Sequence, residues 1–344
     1  MAVTIYDVAR HAGVGIGTVS RTINGSSQIS RGTKEKVLRA IQELKYEPHA
    51  LARGLARRKT NTIAVILPSF TGYFYFELLK GIQSALSNSA YDMILYNVES
   101  PDKTDLFLKR TLKERRVDGV ILISLDISEK DVQRFLKAQF PIVLVDRSHD
   151  RLESIIVQNK AGAYLATEYL ISLGHQCIGM IDGQLHSAPA KVRLDGYKDA
   201  LSKNKMTFND QYLVISEDYN DKDGFNREAG YQAMQKLLNL EGDCPTAVFI
   251  SSDIQAAGAI RAVREKGKEI PSDIAIVGFD DIEIAEYLGL TTIHQPLFEM
   301  GKMACSQLLD KIEDFSLPAK QHTLSTHLVI RETCGGKKKF AFSA

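Results

Sequence analysis

A chain of 344 residues, 44% hydrophobic and 25% charged, is long enough for two or three hydrophobic cores. Its four cysteines, Cys177, Cys244, Cys305 and Cys334, have no CxxC spacing, which argues against a disulfide framework or zinc site, and no apolar run approaches a signal core or a membrane span. The formal charge of +1 hides an asymmetry: four Lys and seven Arg against one Asp and three Glu give residues 1–60 a net +7, leaving −6 for the remainder. A soluble cytoplasmic protein is expected, with a basic head on an acidic body. The natural partner of such a head is double-stranded DNA, whose neutralised phosphates release counterions.

The first predicted helix starts after Thr4, because Ile5, Val8, Ala9 and Ala12 recur at helical spacing. Thr4 can cap it, with Asp7 three positions on, and Gly13 ends it where a left-handed backbone is needed. A second short helix resumes within Gly17–Asn24. Two short helices around a glycine-containing turn form a helix-turn-helix, whose second helix enters the major groove. Ser30 can cap a third helix with an apolar stripe of Val37, Leu38, Ile41 and Leu44, stopped by Pro48. The stretch His49–Thr60 is small, basic and weakly helical, and Gly54 weakens it by roughly 1 kcal/mol. A segment that folds only against something else is suited to be a switch.

From residue 61 short apolar runs alternate with helical segments. The runs are Ile63–Leu67, Met93–Tyr96, Val120–Ile123, Ile142–Val145, Ile178–Ile181, Ala247–Ile250 and Ile274–Val277; the helices include Phe76–Leu86, Lys103–Glu114, Lys160–Leu173, Gly224–Leu238 and Asp253–Lys266. Strands buried on both faces and alternating with helices make parallel sheets in an α/β fold. Their number requires two doubly wound lobes: an N-lobe of about 61–161 and 293–322, and a C-lobe of about 162–292 and 323–344. Ligands of such sheets sit beyond the C-terminal strand ends. Those ends supply Ser69, Tyr73–Phe76, Asp146 with Arg147, Asp182 with Gly183, then Arg193, Ser251–Asp253 and Phe279–Asp281. Aromatic platforms with Asp, Asn and Arg suit a small polyhydroxylated ligand. Asp253 reads first as a helix N-cap.

Thr18-Val19-Ser20-Arg21, Leu51-Ala52-Arg53-Gly54-Leu55, Gly278-Phe279-Asp280-Asp281 and Thr291-Thr292-Ile293-His294-Gln295-Pro296 resemble the lactose/galactose repressor family of bacterial transcription regulators, and the similarity extends over essentially the whole chain. The resemblance implies a helix-turn-helix domain over 1–48, a hinge helix and linker over 49–60, and an effector-binding, dimerising core over 61–344 whose lobes resemble periplasmic binding proteins. It implies a homodimer on a pseudo-palindromic operator, with hinge residues Ala52 and Leu55 at the DNA and Leu55 wedged into the central base step. Ile16, Gly17 and Arg21 occupy its base-facing positions; Thr4, Tyr6, Thr18, Ser20 and Asn24 are candidate phosphate contacts. Gly15 and Gly17 stand where many relatives carry hydroxyl or polar side chains, so the resemblance carries over the mode of binding and not the operator sequence. On the effector side the resemblance places Phe74, Tyr75, Asp146, Arg193, Phe225 and Asp280, with Asn159 beside a divergent Gln158; Ser69 joins them by its place just past a strand end.

The histidines lack metal spacing and no Gly-x-Ser-x-Gly elbow occurs, so neither an enzyme nor a cofactor is expected. The end of the chain shows no heptad repeat, which favours a dimer over a tetramer. A sugar-binding protein without a regulatory role is the alternative, disfavoured by the basic head.

Overall fold

The computed structural model describes residues 3–23, 28–46, 59–69, 72–98, 101–216, 223–241 and 245–336. Asn24, Ala52, Leu55 and nearly all of the expected hinge lie outside the described residues. The chain divides into two compact units, Met1–Thr62 with Arg115–Asp118, and Ile63–Glu114 with Gly119–Ala344.

In the first unit three helices, α1 (Ile5–Ala12), α2 (Ile16–Ile23) and α3 (Arg31–Glu43), close over Val8, Ala9, Val19, Val37, Ala40 and Tyr46. Local chemistry sets their ends. The Asp7 carboxylate accepts from the Thr4 backbone N–H at 2.9 Å and its hydroxyl at 2.6 Å. Gly13 takes φ 64° in the left-handed region, and its backbone N–H bonds back to α1. Ser30 Oγ accepts from the Thr33 N–H. One expectation fails here: Leu38 is exposed, and Ala40 takes the buried place in the stripe. Past the hinge, the Asp118 carboxylate accepts from the backbone N–H groups of Thr60 and Asn61 and from the Thr60 hydroxyl, at 2.8 to 3.0 Å.

The second unit holds two six-stranded sheets. The N-lobe sheet contains β1 (Thr62–Leu67), β2 (Asp92–Asn97), β3 (Gly119–Ile123), β4 (Ile142–Val145), β5 (Glu153–Val157) and β11 (Gln321–Leu324), in the order β11-β5-β4-β3-β1-β2. The C-lobe sheet contains β6 (Ile178–Asp182), β7 (Leu213–Ile215), β8 (Ala247–Ile250), β9 (Ala275–Asp280), β10 (Thr291–His294) and β12 (His327–Val329), in the order β12-β10-β9-β8-β6-β7. Pairing is parallel from β11 to β1 and from β10 to β7, with β12 antiparallel on β10. The central strands are buried on both faces, which is why they read as continuous apolar runs.

Helices α4 (Tyr73–Leu86), α5 (Pro101–Glu114), α6 (Glu129–Lys137) and α12 (Leu297–Glu313) accompany the N-lobe strands; α7 (Asn159–Ser172), α8 (Ala188–Lys203), α9 (Arg227–Leu238), α10 (Asp253–Glu265) and the short α11 (Glu283–Tyr287) accompany the C-lobe. α4 and α12 pack at backbone distance: a Cβ on Gly81 would strike the Phe298 carbonyl, and one on Gly301 the Leu78 carbonyl.

The chain crosses between sheets three times, around Gln158, at Gln295–Pro296 and at Ser325–Thr326. These crossings correct the boundaries expected at 161, 292 and 322. The first turn of α7 belongs with the C-lobe, β10 stays in the C-lobe sheet through His294, and β11 stays in the N-lobe sheet through Leu324, because strand pairing holds each to its neighbours. The helix expected from Gly224 starts at Arg227, since Asn226 accepts from the Ala229 N–H and caps it.

Candidate DNA interface and effector site

On the first unit, Val19 and Thr22 turn α2 inward and leave Ile16, Gly17 and Arg21 exposed. Ile16 is 42% exposed, and Tyr6 on α1 62%. Arg21 Nε donates to the Gly17 carbonyl at 3.1 Å, so its guanidinium rests along the outer face of the helix. The Gly15 carbonyl accepts from the Thr18 and Val19 N–H groups, which opens α2 without a side-chain cap. Thr4 is exposed but already bonded to Asp7, while Thr18 and Ser20 are half-buried. The arrangement presents one apolar, one small and one cationic position along one helix. Such a face can meet base edges, with an arginine fork matching guanine.

In the second unit the strand ends converge on Arg193, in α8 and only 4% exposed. Its Nε donates to Asn159 Oδ1 at 2.8 Å, at the start of α7. Its Nη1 donates to the Ser251 carbonyl at the end of β8 and lies 3.8 Å from Asp280 Oδ1 at the end of β9. The guanidinium carbon sits 3.8 Å from the Phe279 ring centroid and 5.9 Å from that of Phe225. Burial pulls the Arg193 guanidinium below its usual value, against the opposing pull of Asp280, Asp146 and Asp182.

Each carboxylate has its own holder. Gln295 Nε2 donates to Asp280 Oδ1 at 2.6 Å, and Asp280 takes φ 123°, a conformation that side-chain-bearing residues seldom adopt. Asp146, at φ 63° after β4, accepts from Ser124 Oγ at 2.9 Å and Arg147 Nη1 at 3.1 Å. Asp182 accepts from Ser251 Oγ and the Gly183 N–H, while its second oxygen is buried without a partner among the described residues. Burial pushes both Asp280 and Asp182 up to about 7, and it raises Asp146 as well. Polar groups gathered at such strand ends can grip a small molecule by several hydroxyls.

Asp146, Asn159, Arg193, Phe225 and Asp280 thus share one neighbourhood. Phe74 and Tyr75 stand edge to face at 5.3 Å in the first turn of α4 and pack on the N-lobe core, whereas the rings facing Arg193 are Phe225 and Phe279. Ser69 lies just past β1. Asp253 is not the cap of α10. Ser252 fills that role, and the Asp253 carboxylate accepts from the Ile282 N–H and the Thr292 hydroxyl, tying the segment after β9 to strand β10. Ser124 and Gln295 were missed by sequence reasoning. Ser124 follows β3 and was within reach of the same strand-end rule, and Gln295 sat inside a motif already singled out. Among the described residues no group of three His, Cys, Asp or Glu side chains is arranged to hold a metal. No described helix is long and apolar enough to cross a membrane.

Residues 4–49 match the profile of bacterial regulatory proteins of the lacI family, and residues 167–334 that of a periplasmic binding protein-like domain. Over 335 residues the chain is 37% identical to the ribose operon repressor of Haemophilus influenzae, covering 96% of this chain and 98% of that protein. The lac repressor dimer bound to operator and the anti-inducer ONPF gives a TM-score of 0.81 at 30% identity, over 97% of this chain and 99% of that one. A complex of the transcriptional regulator CelR with cellobiose gives 0.71 at 32% identity, over 96% and 99%.

Proposed function

The chain belongs to the lacI family of bacterial regulatory proteins, a DNA-binding transcription regulator and not an enzyme, and from that premise we propose the following specific reading. It is a cytoplasmic repressor that binds a pseudo-palindromic operator as a homodimer and is controlled by a small polyhydroxylated molecule held between the lobes. The proposed division is a head over 1–48, a hinge over 49–60 and a core from 61. In the head, Ile16, Gly17 and Arg21 read bases, while Thr4, Tyr6, Thr18, Ser20 and Asn24 hold phosphates. In the hinge, Ala52 and Leu55 meet the minor groove.

One observation carries the effector half: the buried Arg193 ties the start of α7 to the end of β8 and lies beside Asp280, where the strand ends meet. Asp146, Asn159, Phe225 and Asp280 are its proposed co-ligands, with Ser69, Phe74 and Tyr75 contributing from the N-lobe. Self-association is supported by apolar exposure on the N-lobe, at Tyr73 and Phe76 on α4, Ile94 and Leu95 on the edge strand β2, and Leu106 on α5. A ligand that prefers one lobe arrangement changes operator affinity by its differential binding, typically about 1–3 kcal/mol.

Footprinting the full chain across its own chromosomal neighbourhood, with and without a panel of free sugars, tests this. A two-fold-symmetric protected site whose occupancy changes several-fold with one sugar is expected. No protected site under any condition would refute the reading.

A further inference from the structure

We propose that the Arg193 site selects against anions: its effector is an uncharged or cationic molecule bearing hydroxyl or amine donors, and the phosphorylated form of the same molecule is refused. This rests on the reading that the effector binds there. The obvious cation for a phosphate would be Arg193, and two of its three nitrogens, one face and its charge are already engaged. Its Nε is taken by Asn159, its Nη1 by the Ser251 carbonyl, one face by Phe279, and its charge by Asp280 at 3.8 Å. The second cation, Arg147, is likewise held, by Asp126 at 2.9 Å and Asp146 at 3.1 Å.

Among the described residues, the largely buried Asp146, Asp182 and Asp280 stand against these two guanidiniums, with the exposed Asp126 beyond them. Three of those carboxylates act electrostatically on Arg193 itself. Asp182 adds a buried oxygen that accepts from nothing among the described residues. A low-dielectric site with surplus carboxylate repels a further anion and rewards a donor. Burial raises the carboxyls of Asp182 and Asp280, and the same loss of water disfavours any further negative charge beside them.

Matched pairs supply the test. Ribose is compared with ribose 5-phosphate, and glucose with glucosamine and glucose 6-phosphate. Each is titrated into the full chain at constant ionic strength and read by calorimetry and thermal unfolding, with inorganic phosphate as a separate probe. The expected result is that whichever sugar binds does so at least tenfold more tightly than its phosphate, and that Asp146→Asn narrows the gap. A phosphate ester binding as tightly as its free sugar, or saturable phosphate binding lost in Arg193→Gln, overturns the proposal while leaving the effector site standing. If no sugar in any form binds, the sugar reading fails instead. Inorganic phosphate then decides the charge rule: Arg193-dependent binding overturns it, and only Arg193-independent binding, or none, upholds it. Should Arg193→Gln not fold, Arg193→Lys gives the same decision: phosphate binding weakened by loss of the guanidinium fork overturns the proposal, and phosphate binding left unchanged upholds it.

Discussion

Arg21 and Asp182 both depend on their immediate surroundings, in opposite ways. Arg21 is exposed and, among the described residues, hydrogen-bonded only to the Gly17 carbonyl, so its guanidinium is available to a base edge. Arg21→Ala should weaken binding to the specific operator by about 1–3 kcal/mol while hardly changing affinity for random duplex, as measured by competitive gel shift. Equal losses on both DNAs would make Arg21 a phosphate contact. Asp182 is buried, and its carboxyl rises from 3.8 to about 7, with desolvation as the largest cause. The folded state therefore holds that proton more tightly than the unfolded chain. Its stabilising effect is complete at low pH and is lost as pH rises from about 4 through about 7. Asp182→Asn should match the wild type near pH 4 and exceed it above pH 7, by on the order of 4 kcal/mol, because a tenfold difference in proton affinity between the two states is about 1.4 kcal/mol. Denaturant melts across that range check the sign; a variant less stable at pH 8 would contradict it.

At the scale of elements, the glycine contacts between α4 and α12 fix how tightly two helices lie on the N-lobe sheet. Gly301 faces the Leu78 carbonyl with no room for a methyl group. Gly301→Ala should separate the helices and cost about 1–3 kcal/mol, seen as a lower melting temperature of the core with DNA contacts intact. An unchanged melting temperature would mean that the helices part at no cost. The helix ends of the head were legible in the sequence because each cap is local: Thr4 with Asp7, Gly13, and Ser30 with Thr33 lie within three or four residues of one another. The central strands were legible for the same reason, as unbroken apolar runs. β5, β7, β10, β11 and β12 were not. β11 reads Gln-His-Thr-Leu and is half exposed at a sheet edge, so no hydrophobic signal marks it. Its pairing with β5 spans more than 160 residues.

For the whole molecule, the charge division between head and body makes DNA affinity an ionic-strength measurement. Each neutralised phosphate contributes about 0.9 to the slope of log affinity against log salt, and roughly six or more contacts would lower affinity by about 10³-fold or more between about 50 and 200 mM salt. A slope near zero would remove the phosphate-driven head from the account. Control by the effector is reciprocal: if a sugar changes operator affinity by some factor, operator DNA must change sugar affinity by the same factor.

By itself the sequence determined the helix-turn-helix, the two α/β lobes and the strand ends where a ligand would sit, because caps, turns and apolar runs are chemistry between near neighbours. The tertiary structure decided which of those strand ends meet. Ser124 reaches Asp146, Gln295 reaches Asp280, and Ser251 joins Asp182 to Arg193, across separations of 15 to 69 residues. It also decided the charge state of the site, since only the folded chain brings several aspartates around one guanidinium and takes the water away.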